Sequence, residues 1–213
     1  MKNIAKLNTI SITSLIGYTF LLIYITDRYV LTISFYENNG NPFPIISGQV
    51  NDVYSNLQKW IYISSALYLI IKLCLVSLVL YTALYLSDQV IVFQKVFLIT
   101  TLAEFIFLIP AILKIWWFHH YYPHGTLSDW HNVYILSALS LLKSAPTDWS
   151  YALQTLNVFE IAYWFLLSLG IYKFSGMTYD KSLRLVIFAY VPALFIWVAV
   201  ITFITLMLFP AIG

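Results

Sequence analysis

Two ionisable residues lie deep inside long apolar segments of this sequence, and they are the first candidates for chemistry. Lys72 and Glu104 each stand near the middle of a hydrophobic stretch that is long enough to cross a membrane. A lone charge at mid-bilayer is costly, so each residue needs a partner or a polar pathway. We therefore expect the two side chains to face each other, either as a structural ion pair or as part of a proton or ion relay.

The number of titratable groups favours the structural interpretation. A relay needs successive titratable groups across the membrane, and the apolar segments contain few of them. At about 1.5 Å per residue, Lys72 lies about 21 Å from the end of its segment at Leu86, and Glu104 lies about 20 Å from Ile91. Equal depth on neighbouring helices makes an ion pair feasible, and such a pair would fix helix register.

A second set of polar side chains lies in the fourth apolar segment. Its members recur at spacings of three or four, which predicts one helical face: Gln154, Asn157, Glu160, Trp164 and Ser168. That face should point into the protein, where Lys114 of the third segment can approach Glu160. Hydrogen bonding between helices is the favoured interpretation. A polar ligand pocket that opens outward is the alternative.

Four histidines cluster after the third apolar segment, beside Asp129: His119, His120, His124 and His131. Imidazole and carboxylate ligands suit zinc and other transition metals. The spacing is not that of a metal motif, because neighbouring histidines diverge on a helix and Pro123–Gly125 interrupts it. The many nearby tryptophans and tyrosines are typical of a membrane boundary. We therefore expect polar interface residues and no metal site.

Sequence motifs for catalysis are absent. The chain contains no GxSxG nucleophile elbow, no HExxH zinc helix and no phosphate-binding glycine loop. We expect a protein that is not an enzyme and has no cofactor. A membrane enzyme that uses the outer histidines is a weaker alternative than either an assembly subunit or a transporter component.

The composition predicts the elements that must position these residues. The chain is 61% hydrophobic and 9% charged over 213 residues, which is typical of an integral membrane protein. Its lysine-led first segment lacks a signal-peptide cleavage pattern, so we expect it to be retained. Five segments are long enough to span a bilayer: Leu7–Thr26, Trp60–Leu86, Ile91–Phe118, Ala152–Tyr172 and Leu185–Phe209. We predict an all-α polytopic transmembrane bundle.

The whole chain, 1–213, is predicted to form one transmembrane domain with two outer loops, at about 27–59 and 119–151. The first loop contains Glu37–Pro44, whose asparagines and prolines prevent a continuous helix. The second includes Val133–Leu142, an apolar run too short to span, which predicts a short interfacial or re-entrant helix. The short connection at Ser87–Gln89 predicts an antiparallel hairpin of the second and third helices.

Charge asymmetry predicts the orientation. An N-terminus inside the cell puts most basic residues on the inner side, as the positive-inside rule requires. The inner set is Lys2, Lys6, Lys95, Lys173, Lys181 and Arg184, and the outer set is Arg28, Lys59 and Lys143, with Lys114 near that edge. Five helices then put Gly213 outside. The net charge of +2 gives no reason to expect nucleic acid binding.

One region resembles a known family. Leu153–Glu160, followed by Trp164, Leu167, Gly170 and Lys181, is similar to the late transmembrane region of bacterial Yip1-domain proteins. The resemblance covers about sixty residues and implies a multi-helix membrane fold with a cytoplasmic N-terminus. The Asp-Leu-Tyr-Gly-Pro sequence typical of eukaryotic trafficking members is absent, so vesicle trafficking is not implied.

We therefore expect a non-enzymatic membrane subunit that scaffolds or assists a larger assembly, located in a bacterial cytoplasmic (inner) membrane. Its partners would be the lipid bilayer and other membrane subunits. The alternative is a small transporter or permease component in which Lys72, Glu104, Asn157 and Glu160 line a polar route.

Overall fold

The computed structural model describes residues 2–32, 35, 50–142 and 149–208. This part of the chain is helical and contains no β-structure beyond one isolated bridge. Five of its helical segments are long and apolar enough to cross a membrane: Asn3–Tyr29, Gln58–Leu86, Phe93–Tyr121, Val158–Ser175 and Tyr179–Met207. The predicted all-α polytopic class is confirmed, and the chain is an integral membrane protein. Glu37–Pro44, Lys143 and Gly213 lie outside the described residues.

The described residues form nine α-helices. In chain order they are α1 (Lys2–Tyr29), α2 (Val50–Leu86), α3 (Phe93–Glu104), α4 (Leu108–Tyr121), α5 (Leu127–Asn132), α6 (Ala138–Leu141), α7 (Ser150–Thr155), α8 (Val158–Ser175) and α9 (Tyr179–Leu208). Helices α3 and α4 together form the third span, with a 3₁₀ turn at Phe105–Phe107 between them.

The bundle has two ends that differ in their connections. Short turns at 87–92 and 176–178 form what we call the hairpin end, and the described segments 122–142 and 149–157 form the excursion end. At the hairpin end, Asn8 Nδ2 of α1 donates a hydrogen bond of 3.0 Å to the carbonyl oxygen of Gln94. This contact aligns the starts of spans one and three. The prediction that the hairpin end faces the cytoplasm stays a prediction.

The main apolar core fills the half of the bundle nearer the hairpin end. It is formed by buried side chains of α2, α3, α8 and α9, among them Leu80, Val96, Leu167, Ile171 and Val186. Helices α3 and α8 approach each other closely in this half, since a Cβ added to Gly170 would overlap Ile99. Close contact through a small residue is typical of helix packing in membranes.

A proline explains the interruption of the α-helix in the third span. Pro110 has no amide hydrogen to donate to the carbonyl of Ile106, and its ring crowds that carbonyl. The chain adopts a 3₁₀ turn at Phe105–Phe107, one short stretch of α-helix before the proline. Glu104 is the last residue of α3, so it lies immediately before this 3₁₀ turn.

The fourth span differs from the prediction. Ala152–Tyr172 was expected to be one helix, but α7 ends at Thr155 and α8 begins at Val158. Asn157 caps α8, where its Oδ1 accepts a hydrogen bond of 2.8 Å from the amide of Glu160. Asparagine satisfies a free helix-end amide more readily than it sits inside a helix. Gln154 and Asn157 therefore do not share a helical face with Glu160.

The excursion end contains less helix than predicted. Within Val133–Leu142 only the single turn α6 is helical. The segment instead pairs with the α7–α8 junction, where the amide of Ala138 donates to Leu156 O at 2.8 Å and the amide of Val158 donates to Leu136 O at 3.1 Å. These bonds satisfy backbone groups that the break before α8 leaves free.

Candidate functional site

Lys72 and Glu104 meet in the middle of the bundle. Lys72 Nζ of α2 lies 2.5 Å from Glu104 Oε1 of α3, which is the geometry that equal depth on neighbouring helices predicts. The Lys72 side chain is 23% exposed and the Glu104 side chain is 5% exposed. Lys72 Nζ also lies 4.1 Å from the ring centroid of Phe107 and 5.7 Å from that of Tyr163. Ring faces attract a cation, so these two rings also help to hold the lysine.

Glu160 stands in the first turn of α8 and is also buried. Its Oε1 accepts hydrogen bonds from Tyr190 Oη at 2.7 Å and from Trp164 Nε1 at 3.2 Å. A carboxylate at a helix N-terminus is favoured by the free amides and the helix dipole. Among the described residues, no basic side chain comes within ion-pair distance of Glu160.

Lys114 does not approach Glu160, and this prediction is wrong. Its Nζ lies 4.1 Å from the ring centroid of Tyr134 and 4.5 Å from that of Trp130, both in the excursion. The excursion folds over α4 and offers aromatic rings to the lysine, whereas Glu160 receives its hydrogen bonds from α8 and α9. Burial, and then the positive charge of Lys114, lower the pKa of nearby His131 below its ordinary value.

A cleft of about 470 Å³ brings several of these groups together. It lies between α2, α7, α8 and α9, and its charged lining residues are Lys72 and Glu160. Gln154 and Asn157 line its part near the excursion end. Its aromatic lining residues are Tyr68, Phe107, Tyr134, Tyr151, Tyr190 and Trp197. We call it the α2–α9 cleft.

The α2–α9 cleft opens sideways between two spans. Its rim is formed by exposed apolar side chains, Ile71 and Leu75 of α2 and Ile196 and Val200 of α9. In a membrane, such side chains face the lipid chains. The cleft therefore opens toward the hydrocarbon region.

A second cleft, of about 660 Å³, lies on the other side of the ion pair. It runs between α1, α2 and α4, with Glu104, Lys114 and Asp27 among its lining residues. Tyr68 and Phe107 line both clefts. Lys72 lines the first cleft and Glu104 the second, so the ion pair stands in the wall between them.

Toward the hairpin end, the α2–α9 cleft gives way to packed apolar side chains. Leu80, Val96, Leu167 and Val186 are buried there at the meeting of four helices. The buried serine and threonine hydroxyls nearby are bonded within their own helices; Ser77, for example, donates to Leu73 O at 2.6 Å. The described residues thus line a polar path from the excursion end to mid-bundle, but not beyond it.

The histidines do not come together. His119 and His124 line a cavity at the end of α4, whereas the ring of His120 stacks on Trp116 at a centroid distance of 5.9 Å. His131 lies in α5, near Lys114. No group of three or more side chains that could hold a metal ion occurs in the part of the chain that the structure describes.

Sequence reasoning missed the aromatic residues of the site. Tyr190 and Trp197 belong to α9, and Trp197 Nε1 donates to Tyr151 Oη of α7 at 3.1 Å. One signal was present for Tyr190. It stands far from both ends of an apolar span, whereas membrane tyrosines concentrate at the boundaries. A tyrosine at that depth needs a hydrogen-bond partner, and Glu160 supplies it.

The chain matches no protein-family model, no curated protein and no solved structure. The resemblance to bacterial Yip1-domain proteins therefore stays a prediction. Any function proposed for the chain must follow from its residues and their geometry.

Proposed function

We propose that this protein is a non-enzymatic integral membrane subunit that scaffolds or assists a larger membrane assembly. The observation that carries the proposal is the end of the polar path. The polar side chains reach from the excursion end to the Lys72–Glu104 pair, and packed apolar side chains follow. A carrier or channel needs a continuous polar route, whereas a subunit needs fixed helices and free surfaces.

Two buried polar contacts support the same proposal, because each ties one span to another. Lys72 joins α2 to α3, and Glu160 joins α8 to α9 through Tyr190. Such contacts fix the relative positions of helices inside a bilayer. The outer faces of the spans remain apolar and exposed, with Leu21 of α1 and Phe188 of α9 as examples. Those faces are accessible to lipids and to other membrane proteins.

The test is photocrosslinking in the native membrane. A photoreactive residue at Leu21 or Phe188 should give a crosslinked protein of defined mass, and native purification should recover it in a fixed ratio to this chain. The same photoreactive residue in place of Leu102, an exposed side chain of α3, provides a third lipid-exposed position for comparison. Purification of the chain alone, with crosslinks only to lipid at all three positions, would contradict a subunit role.

A transporter component is the second candidate, and the position of the ion pair favours it. Lys72 and Glu104 stand between two clefts, so separating them would join the clefts. Purified protein in liposomes with a pH-sensitive dye distinguishes the candidates for protons. We expect no flux above that of empty liposomes. Flux that Glu104→Gln abolishes, in a variant that still folds, would favour the transporter.

A further inference from the structure

The buried charges at the α2–α9 cleft do not balance once Glu104, the partner of Lys72, is counted with the two lining residues Lys72 and Glu160. Lys72 is paired with Glu104, and Glu160 has no basic partner among the described residues. Both side-chain hydrogen bonds to the Glu160 carboxyl end on Oε1, from Tyr190 and Trp164. An ionised Glu160 therefore leaves one uncompensated negative charge in a water-poor site. A buried charge of this kind calls for a positive partner.

Aromatic side chains line the cleft into which Glu160 is placed. Tyr68, Tyr151, Tyr190 and Trp197 all line the cleft, and they come from three different helices. Aromatic rings attract a cation through their negative faces, and rings combined with a carboxylate suit alkylammonium groups. Such groups are only weakly hydrated, so they enter an apolar site more easily than a small metal ion.

The polar and apolar ends of the cleft follow the membrane. Glu160 and Asn157 stand at the start of α8, near the excursion end, whereas Leu75, Val76 and Val79 of α2 line the cleft nearer the middle of the bundle. An amphiphile in the bilayer has the same arrangement, with its head at the interface and its chain inside. The lateral opening between α2 and α9 gives that chain an exit to the lipid.

Size favours a small amphiphile over a protein segment. A cleft of about 470 Å³ is in the range of small-ligand sites. A transmembrane helix with its side chains is about 10–12 Å across and would not enter it.

We propose that the α2–α9 cleft binds a single-chain or lipid-like amphiphile with a positively charged ammonium head. The head lies beside Glu160 among the tyrosines and Trp197, and the alkyl chain passes between α2 and α9 into the membrane. This binding site goes beyond a role as an assembly subunit. It does not depend on that role.

The test measures equilibrium binding to the full chain in lipid nanodiscs. The probe is radiolabelled hexadecyltrimethylammonium, with empty nanodiscs giving the nonspecific part. Hexadecanol and hexadecyl sulfate keep the chain and replace the cation by a neutral or a negative head. We expect saturable binding of one ammonium probe per chain, and no saturable binding of the other two. Equal binding of all three, or preferred binding of the sulfate, would overturn the proposal.

Two variants and one control locate the site. Glu160→Gln keeps an acceptor for Tyr190 and Trp164, so the helices stay joined, but it should weaken ammonium binding at least about tenfold. Asp180→Asn is the matched control, because Asp180 is also an acid in the first turn of a helix but is exposed at the hairpin end. It should bind as the unaltered chain does.

Ile71→Trp tests the opening independently of charge. The larger side chain at the rim should obstruct the alkyl chain and lower affinity, while Glu160 is unchanged. Unaltered binding in both Glu160→Gln and Ile71→Trp, each shown to be folded by gel filtration, would overturn the proposal. A second result would also overturn the proposal: no saturable ammonium binding, together with a partner protein that co-purifies with the unaltered chain and is released by Glu160→Gln. A basic side chain of that partner would then be the cation beside Glu160.

Discussion

Separating Lys72 from Glu104 should destabilise the protein by an amount that depends on which residue is replaced. Lys72→Met leaves a carboxylate that is only 5% exposed, and its Oε2 already has no hydrogen-bond partner among the described residues. Breaking a buried pair in this way costs about 3–5 kcal/mol. The variant also loses the contact of the ammonium with the Phe107 ring, worth about 0.5–2 kcal/mol.

The reverse change should cost less. Glu104→Gln leaves a lysine that is 23% exposed, that reaches the α2–α9 cleft and that keeps the rings of Phe107 and Tyr163. We therefore expect a loss of about 1–3 kcal/mol, because the remaining charge has another favourable contact and partial access to the cleft. The double variant should recover part of the loss, since neither charge then stands alone.

The assay is thermal or denaturant unfolding of all four proteins in the same detergent, arranged as a double-mutant cycle. Lys95→Met with Asp88→Asn is the control cycle, because these charges lie at the hairpin end and form no ion pair with a described residue. A coupling energy of about 2 kcal/mol or more is expected for the buried pair and none for the control. Strictly additive losses, or a greater loss in Glu104→Gln than in Lys72→Met, would refute the reasoning.

Four further predictions concern other parts of the chain. Gly170→Val should destabilise the protein by about 1–3 kcal/mol in the same unfolding assay, because the new atoms meet Ile99, whereas Gly17→Val enters open space and should cost less than about 1 kcal/mol. NMR titration should show a pKa of His131 below 6.5, and this pKa should rise in Lys114→Met. Because the folded state disfavours the protonated imidazole, the free energy of unfolding should fall as the pH drops below 6.5. Reporter fusions should place the two chain termini on opposite sides of the membrane, with the N-terminus inside, and termini on one side would reject the five-span topology. Metal analysis of the purified protein should find no stoichiometric zinc or copper, and replacement of His119, His120, His124 and His131 together by Gln should leave assembly intact. A metal lost on that replacement would reverse the non-enzymatic interpretation.

The number of spans was determined by the sequence, because apolar length alone decides whether a helix can cross a bilayer. The depth of Lys72 and Glu104 followed from the same count of residues, since a helix rises by a constant amount per residue. A buried charge also needs a partner, so matched depth and a short connection together predicted the pair that the structure contains.

The direction of the side chains was decided only by the tertiary structure. Spacing placed Gln154 and Asn157 on the face of Glu160, but the excursion pairs with the α7–α8 junction and Asn157 caps a new helix there. Lys114 meets aromatic rings of the excursion, which belong to a separate segment further along the chain. Local spacing contains no information about such distant partners.

At the α2–α9 cleft, the depth of the buried acid followed from the sequence, but its contacts followed from helix packing. Glu160 was recognisable from the sequence as a buried acid that needs a partner, but the donor is Tyr190, thirty residues further on and in another helix. Which residues of α9 turn toward α8 depends on the rotation of both helices about their axes. For α8, that rotation is restricted by the close packing of Gly170 against Ile99 of α3. The sequence by itself determined that polar groups lie inside the membrane and at what depth. The packing of the helices decided which of these groups meet and where a cleft remains. Side-chain contacts between helices depend on helix rotation and close approach, and residue spacing within one helix defines neither.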